Sequence, residues 1–194
     1  KLLVAVSVIF VIAVAIQQAN KRTRQQPIET QIQAERQTTV PSGYTGIYDV
    51  NGLKKMNNNL SGKYILMQDI DMTGVDWTPI GVTSSVAFKG IFDGNLYKIS
   101  NLNIDSNLQC VGMFGYTNSS TIKNVTLENI TVNGKYNTEI NNYACVGGLI
   151  GNNSGTVNNI IITGKVSYSG ALTNVASNLS IKSFVNFISY NSYS

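Results

Sequence analysis

A mainly β fold, a parallel β-helix (solenoid) behind a long N-terminal hydrophobic α-helix, is predicted by three observations. After Tyr44 the chain is filled with short apolar–polar alternations separated by Gly and Asn, the pattern of strands with one buried face. One of these units recurs at a spacing of 35 residues, as stacked repeats do. The run from Leu2 to Ile16, by contrast, is apolar except for Ser7.

That first run, carried by Leu2, Leu3, Val4, Val6, Ile9, Phe10, Ile12, Val14 and Ile16, is apolar all round a helix and must be buried on every side by lipid or by other helices. It would be about 22 Å long, short of a hydrocarbon core of roughly 30 Å. Three readings stay open. Ala13-Val14-Ala15 has the small-x-small form of a cleavage site, which makes residues 1–15 a signal peptide. Alternatively the segment is retained and continues as an amphipathic half, from Gln17 to about Thr39, with Ile28 and Ile32 on one side and Pro27 near the junction. In that form it resembles the N-terminal helix of type IV pilins. The resemblance implies a helical homopolymer built through this helix, with the membrane as its partner before assembly. The acid usual at the fifth position of the bacterial pilins is Ala5 here, which leans toward the archaeal pattern. A plain membrane stalk is the third possibility. Pro41-Ser42-Gly43 closes the segment, because proline disfavours helix in the residue before it, so the domains are 1–40 and 41–194.

Beyond this boundary a short helix is expected over Val50 to Asn58, where Val50, Leu53 and Met56 recur at three-residue spacing. Strands are expected at Tyr64–Met67, Tyr97–Ile99, Leu102–Ile104, Val125–Leu127, Ile130–Val132, Ile160–Ile162 and Val166–Tyr168. Cys110-Val111-Gly112-Met113-Phe114-Gly115 is echoed by Cys145-Val146-Gly147-Gly148-Leu149-Ile150-Gly151, and the following Thr121-Ile122 by Thr156-Val157. Ile99 precedes Ile122 by 23 residues, which suggests one coil of that length, with Gly134 to Ala144 inserted in the next. Single coils cannot bury their apolar face, whereas stacked ones share a continuous core.

These stretches, together with Phe88-Lys89-Gly90-Ile91-Phe92-Asp93-Gly94-Asn95 and the lead-in from Tyr64 to Gly81, resemble the GLUG-motif repeat domains of microbial surface proteins over residues 45–168. The resemblance implies a right-handed β-solenoid on an adhesin-like protein and transfers no catalytic residue. Ala171 to Ser194 is a candidate cap for the open end.

The chemistry available is narrow. Histidine is absent, and Lys+Arg outnumber Asp+Glu by only 14 to 10, so the usual general base and zinc ligand are missing and no basic stripe offers itself to nucleic acid. Asp69, Asp71 and Asp93, with Asp76 near them in sequence, are weak calcium candidates, since that cation takes several oxygen ligands; the plain alternative is turn and strand-end hydrogen bonding. The same pair, Asp69 and Asp71, is a candidate general acid and base for a glycan-cleaving β-helix, which needs two carboxylates at a set separation, but nothing else in the sequence supports that chemistry. No cofactor is expected, and an enzyme is the least favoured reading. Equivalent positions in adjacent coils lie about 4.8 Å apart, within disulfide reach, so Cys110 and Cys145 are expected to be bonded, with two stacked buried thiols as the alternative. Sequons at Asn59, Asn118, Asn124, Asn129, Asn152 and Asn178 are possible N-glycosylation sites, Asn124 and Asn129 on strands facing solvent. Ten tyrosines, Tyr48 and Tyr97 among them, either stack on surface glycans of neighbouring cells or merely cover the sheet.

The expected function is thus a pilin-like subunit of an extracellular, cell-surface filament with an exposed and adhesive solenoid. The alternatives are a secreted or membrane-anchored adhesin and a glycan-active β-helix enzyme.

Overall fold

Parallel strands cannot be joined by tight hairpins, so each neighbour in a parallel ladder requires the chain to make a full return pass. The computed structural model, which describes residues 36–136 and 144–169, makes such passes repeatedly. Its strands are β1 (Thr45–Ile47), β2 (Lys63–Leu66), β3 (Ile70–Asp71), β4 (Ile91–Asp93), β5 (Lys98–Ser100), β6 (Asn103–Ser106), β7 (Cys110–Val111), β8 (Phe114–Gly134), β9 (Cys145–Val146) and β10 (Ile150–Tyr168). All their pairings are parallel.

The registers arrange these strands in columns. In the first, Tyr64 pairs with Phe92, Phe92 with Ile122, and Ile122 with Val157. In the second, Ile70, Ile99, Leu127 and Ile162 follow one another, and in the third Ile104, Val132 and Val166 do so. Like residues therefore stack on like, and most of these side chains are buried in one core. Phe114 adds aromatic contacts to it, its ring centroid 5.1 Å from Phe88 and 5.6 Å from Phe92. Each fully buried side chain of this size contributes about 1.5–3 kcal/mol.

The corners explain how a 21-residue strand such as β8 fits a coil. Ser119, Asn124 and Asn129 within it have φ of 50°, 54° and 54°, the left-handed conformation that short polar side chains tolerate. Each turns the strand onto the next side, five residues on. β10 turns likewise at Asn159, φ 51°, but then at Gly164, φ 138°, where the register shifts against β8. A Cβ at Gly164 would lie 2.1 Å from the Ile130 carbonyl oxygen, so only glycine lets the backbones approach this closely.

The same five-residue period corrects the coil length read from sequence. Ile99 pairs with Leu127, and Ile122 with Phe92, so one coil spans 28 to 30 residues rather than 23. Each side carries a similar apolar-x-Asn pattern, and matching Ile99 to Ile122 slipped the comparison by one side. The 35-residue repeat is found as read, Cys110 opposite Cys145 and Thr121 opposite Thr156.

The helix expected over Val50 to Asn58 is present as α1 (Val50–Lys55) and a 3-10 turn, Met56–Asn58. Asp49 caps it, accepting the Gly52 N–H at 2.7 Å, while Leu53 and Met56 enter the core. It is the one α-helix among the described residues, and this corrects the expected fold class, which placed a long N-terminal helix from Leu2 to about Thr39. Residues 36–39 are irregular. The Gln37 N–H instead donates to Asn95 Oδ1 at 2.7 Å and its carbonyl accepts from Asn95 Nδ2 at 3.0 Å, so this N–H is not spent on a helical ladder. The apolar residues named above, from Leu2 to Ile16, and the tail Ala171 to Ser194 lie outside the described residues. No helix among the described residues is long and apolar enough to cross a membrane.

Candidate functional site

Three of the described acidic residues, Asp71, Asp93 and Asp105, are placed at coil corners, where side chains stack from one pass to the next. At the first corner Asn159 Nδ2 donates to Asn124 Oδ1 at 2.9 Å, and Asn124 Nδ2 donates to Asp93 Oδ1 at 3.0 Å. At the second, Asn129 Nδ2 donates to Asn101 Oδ1 at 2.7 Å and Asn101 Nδ2 to Asp71 Oδ1 at 2.9 Å. The third runs from the hydroxyls of Ser167 and Ser169 to Asn133 Oδ1, 3.3 and 3.1 Å, and from Asn133 Nδ2 to Asp105 Oδ1, 3.0 Å. An amide accepts on one side and donates on the other, whereas an ionised carboxylate only accepts. An aspartate can therefore terminate such a ladder but not continue it, and each of the three stands at the end that receives the donated hydrogens.

These bonds favour the ionised form of two of them. Asp71 is held below the usual carboxylate range, first by the Asn101 amide and then by the Thr73 hydroxyl and N–H. Asp105 is lowered chiefly by Lys135, whose ammonium lies 2.5 Å from Oδ2. Asp93 is the buried member, and Lys123 stands 3.1 Å from its Oδ2.

Each of the three calcium candidates has another hydrogen-bond partner. Asp69, Asp71 and Asp93 are not brought together: Asp69 accepts the Lys98 N–H at 2.8 Å, Asp71 closes the second ladder and Asp93 the first. Among the described residues no group of three or more His, Cys, Asp or Glu is placed to hold a metal. Asp69 and Asp71 flank buried Ile70 and are both exposed, as strand alternation requires, yet each is engaged as an acceptor of a structural hydrogen bond. Sequence reasoning missed Asp105, Asn101, Asn133 and Asn159; the signal available was Asn recurring every five residues at 124 and 129.

Cys110 and Cys145 form a disulfide across the β7–β9 pair, beside buried Ala87 and Tyr116. The sequons divide. Asn59 and Asn118 are exposed and Asn152 is half-buried, whereas Asn124 and Asn129 occupy corners rather than plain strand positions and spend Nδ2, the atom a glycan would take, inside the ladders. Asn178 lies outside the described residues. Of the described tyrosines, Tyr64 and Tyr116 are buried and Tyr48 is the exposed one, at 53%.

Fold and site together define a coil-stacked parallel β protein whose corner asparagines and aspartates are bonded from coil to coil. No family model matches the chain, and no solved structure matches it. Among curated proteins it is similar to halomucin of Haloquadratum walsbyi, 31% identical over 116 residues, which is 54% of this chain and 1% of that protein. It is also similar to a putative Gly-rich membrane protein of Evansella cellulosilytica, 34% identical over 104 residues, 50% of this chain and 12% of that protein. The chain thus spans a small fraction of the relatives it matches.

Proposed function

We propose that this chain is a structural, non-enzymatic protein of the cell surface, its coiled β domain displayed outside and its apolar segment Leu2 to Ile16 joining it to other copies in a pilus-like filament. The observation that carries this reading is the use made of Asp71, Asp93 and Asp105. Each of these carboxylates terminates a side-chain ladder, so these three acids are spent on holding coils together. The GLUG-like repeats and the similarity to halomucin and to a membrane protein support a surface or membrane location. The similarity to the membrane protein favours a second reading, in which the same segment anchors a single copy in a membrane.

Electron microscopy of material sheared from producing cells, with intact-mass analysis of the same fraction, separates the two. Filaments containing this chain are expected, and they should be lost in Val6→Asp, since charge buried among apolar neighbours is costly, while the β domain keeps its circular dichroism. Filaments that persist in Val6→Asp overturn assembly through this segment. A membrane-bound monomer without filaments establishes the second reading.

A further inference from the structure

An open cleft of about 510 Å³ runs beside β1 and α1, and its walls combine one exposed aromatic ring with several exposed polar side chains. Tyr48 is the aromatic. A Cβ built on Gly46 would lie 2.7 Å from Val40 Cγ2, 2.9 Å from Tyr48 Cε2 and 3.1 Å from the Tyr48 hydroxyl, so the Tyr48 ring, like the Val40 side chain, lies close against the bare backbone of Gly46. Glycine at 46 is what makes room for it. The Tyr48 carbonyl is in turn held by the side-chain amide of Gln68. The ring is therefore fixed from behind while 53% of the residue remains open to solvent, an arrangement with little ordering cost left for a ligand to meet.

Around it, Asn51, Lys55 and Asn59 are exposed and line the same cleft. Asp49 joins them; its Oδ1 is engaged by the Gly52 N–H at 2.7 Å, and a carboxylate has a second oxygen to offer. The Tyr64 hydroxyl, which lines the same cleft, donates to the Asn59 carbonyl at 2.7 Å and ties that part of the wall to the core.

We propose that this cleft binds a pyranose sugar, the C–H face of the ring against Tyr48 and the hydroxyls bonded by Asp49, Asn51, Lys55 and Asn59. A pyranose has one apolar face and a rim of hydroxyls that both donate and accept, which matches a single aromatic plate ringed by a carboxylate, two amides and an ammonium. The volume lies within the range of small-molecule sites, about 300–1,000 Å³. The proposal deepens the surface-display reading by naming a ligand class for the displayed domain, and it rests on that reading only for its biological setting.

The test is isothermal titration and saturation-transfer NMR of the full chain with the methyl glycosides of glucose, galactose, mannose and N-acetylglucosamine. At least one is expected to bind, with binding about tenfold weaker in Tyr48→Ala and retained in Tyr48→Phe, which keeps the plate. Gly46→Val, which displaces the ring, should mimic Tyr48→Ala. Absence of binding by all four sugars, or unchanged binding by a folded Tyr48→Ala, overturns the site. Protease shaving of intact cells tests display separately: a chain that is shaved yet binds no sugar sinks the cleft alone, whereas one protected inside the cell sinks the surface reading.

Discussion

Replacing Asn124 by Asp changes one nitrogen to oxygen at the centre of the first ladder and reverses its hydrogen-bonding sense. Asn124 donates to Asp93 at 3.0 Å and accepts from Asn159 at 2.9 Å. Aspartate at 124 keeps the second bond, loses the first and sets two carboxylates face to face. A hydrogen bond to a charged acceptor contributes about 2 kcal/mol. Repulsion between carboxylates at this separation adds about 2 kcal/mol more once partial solvent exposure and the Lys123 ammonium are allowed for, so the variant should be about 4 kcal/mol less stable at pH 7. Asn124→Gly is the control, because glycine accepts the φ of 54° and loses both bonds without adding charge.

The pH dependence separates the two variants. Repulsion raises the folded-state pKa of the carboxylate pair above the unfolded value of about 3.9. The penalty is therefore full above the raised value and is relieved as pH falls through it, when one carboxyl protonates and again donates across the gap. Urea unfolding followed by circular dichroism at pH 7 and pH 3.5 reads this as the difference in midpoint from wild type. The gap should narrow with acid for Asn124→Asp and stay nearly constant for Asn124→Gly. A gap for Asn124→Asp that is equally wide at both pH values refutes the ladder argument.

Wild-type stability should itself fall in acid: Asp71 and Asp105 have lowered pKa values when folded, so their contribution is complete above about pH 4 and is lost as pH drops through the folded values. Thermal melts from pH 5 to pH 2 should therefore be shallower in pH for Asp71→Asn/Asp105→Asn than for wild type, and parallel curves would contradict this. Reducing Cys110–Cys145, which are 35 residues apart, should cost about 4 kcal/mol by loop entropy and lower the melting temperature. Peptide mapping without reductant should recover the two cysteines linked, and free thiols there would remove the bond.

Local alternation and the Gly and Asn between strands placed the strands near Tyr64, Ile99, Ile104, Leu127 and Val132, and the spacing of Val50, Leu53 and Met56 placed the helix. These are properties of a few adjacent residues, and so they are legible from the chain alone. The 35-residue repeat was legible for the same reason, since stacked coils repeat their inward residues, and Cys110 lies opposite Cys145 in consequence. What the sequence did not reveal was the true coil length, because the sides of a coil look alike when each ends in a similar corner. Nor did it show which aspartates meet which asparagines. Asp93 and Asn159 are 66 positions apart in the sequence, and they share a ladder only because Asn124, in the coil between, adopts a positive φ and aims its amide along the stack. Asp69 and Asp71, adjacent enough to suggest a shared ion, were separated by the stacking of their neighbours: Lys98 takes one and Asn101 the other. Residue type and period belong to the sequence, whereas the partner of a polar side chain is fixed by coil-to-coil register, which exists only once the coils have stacked.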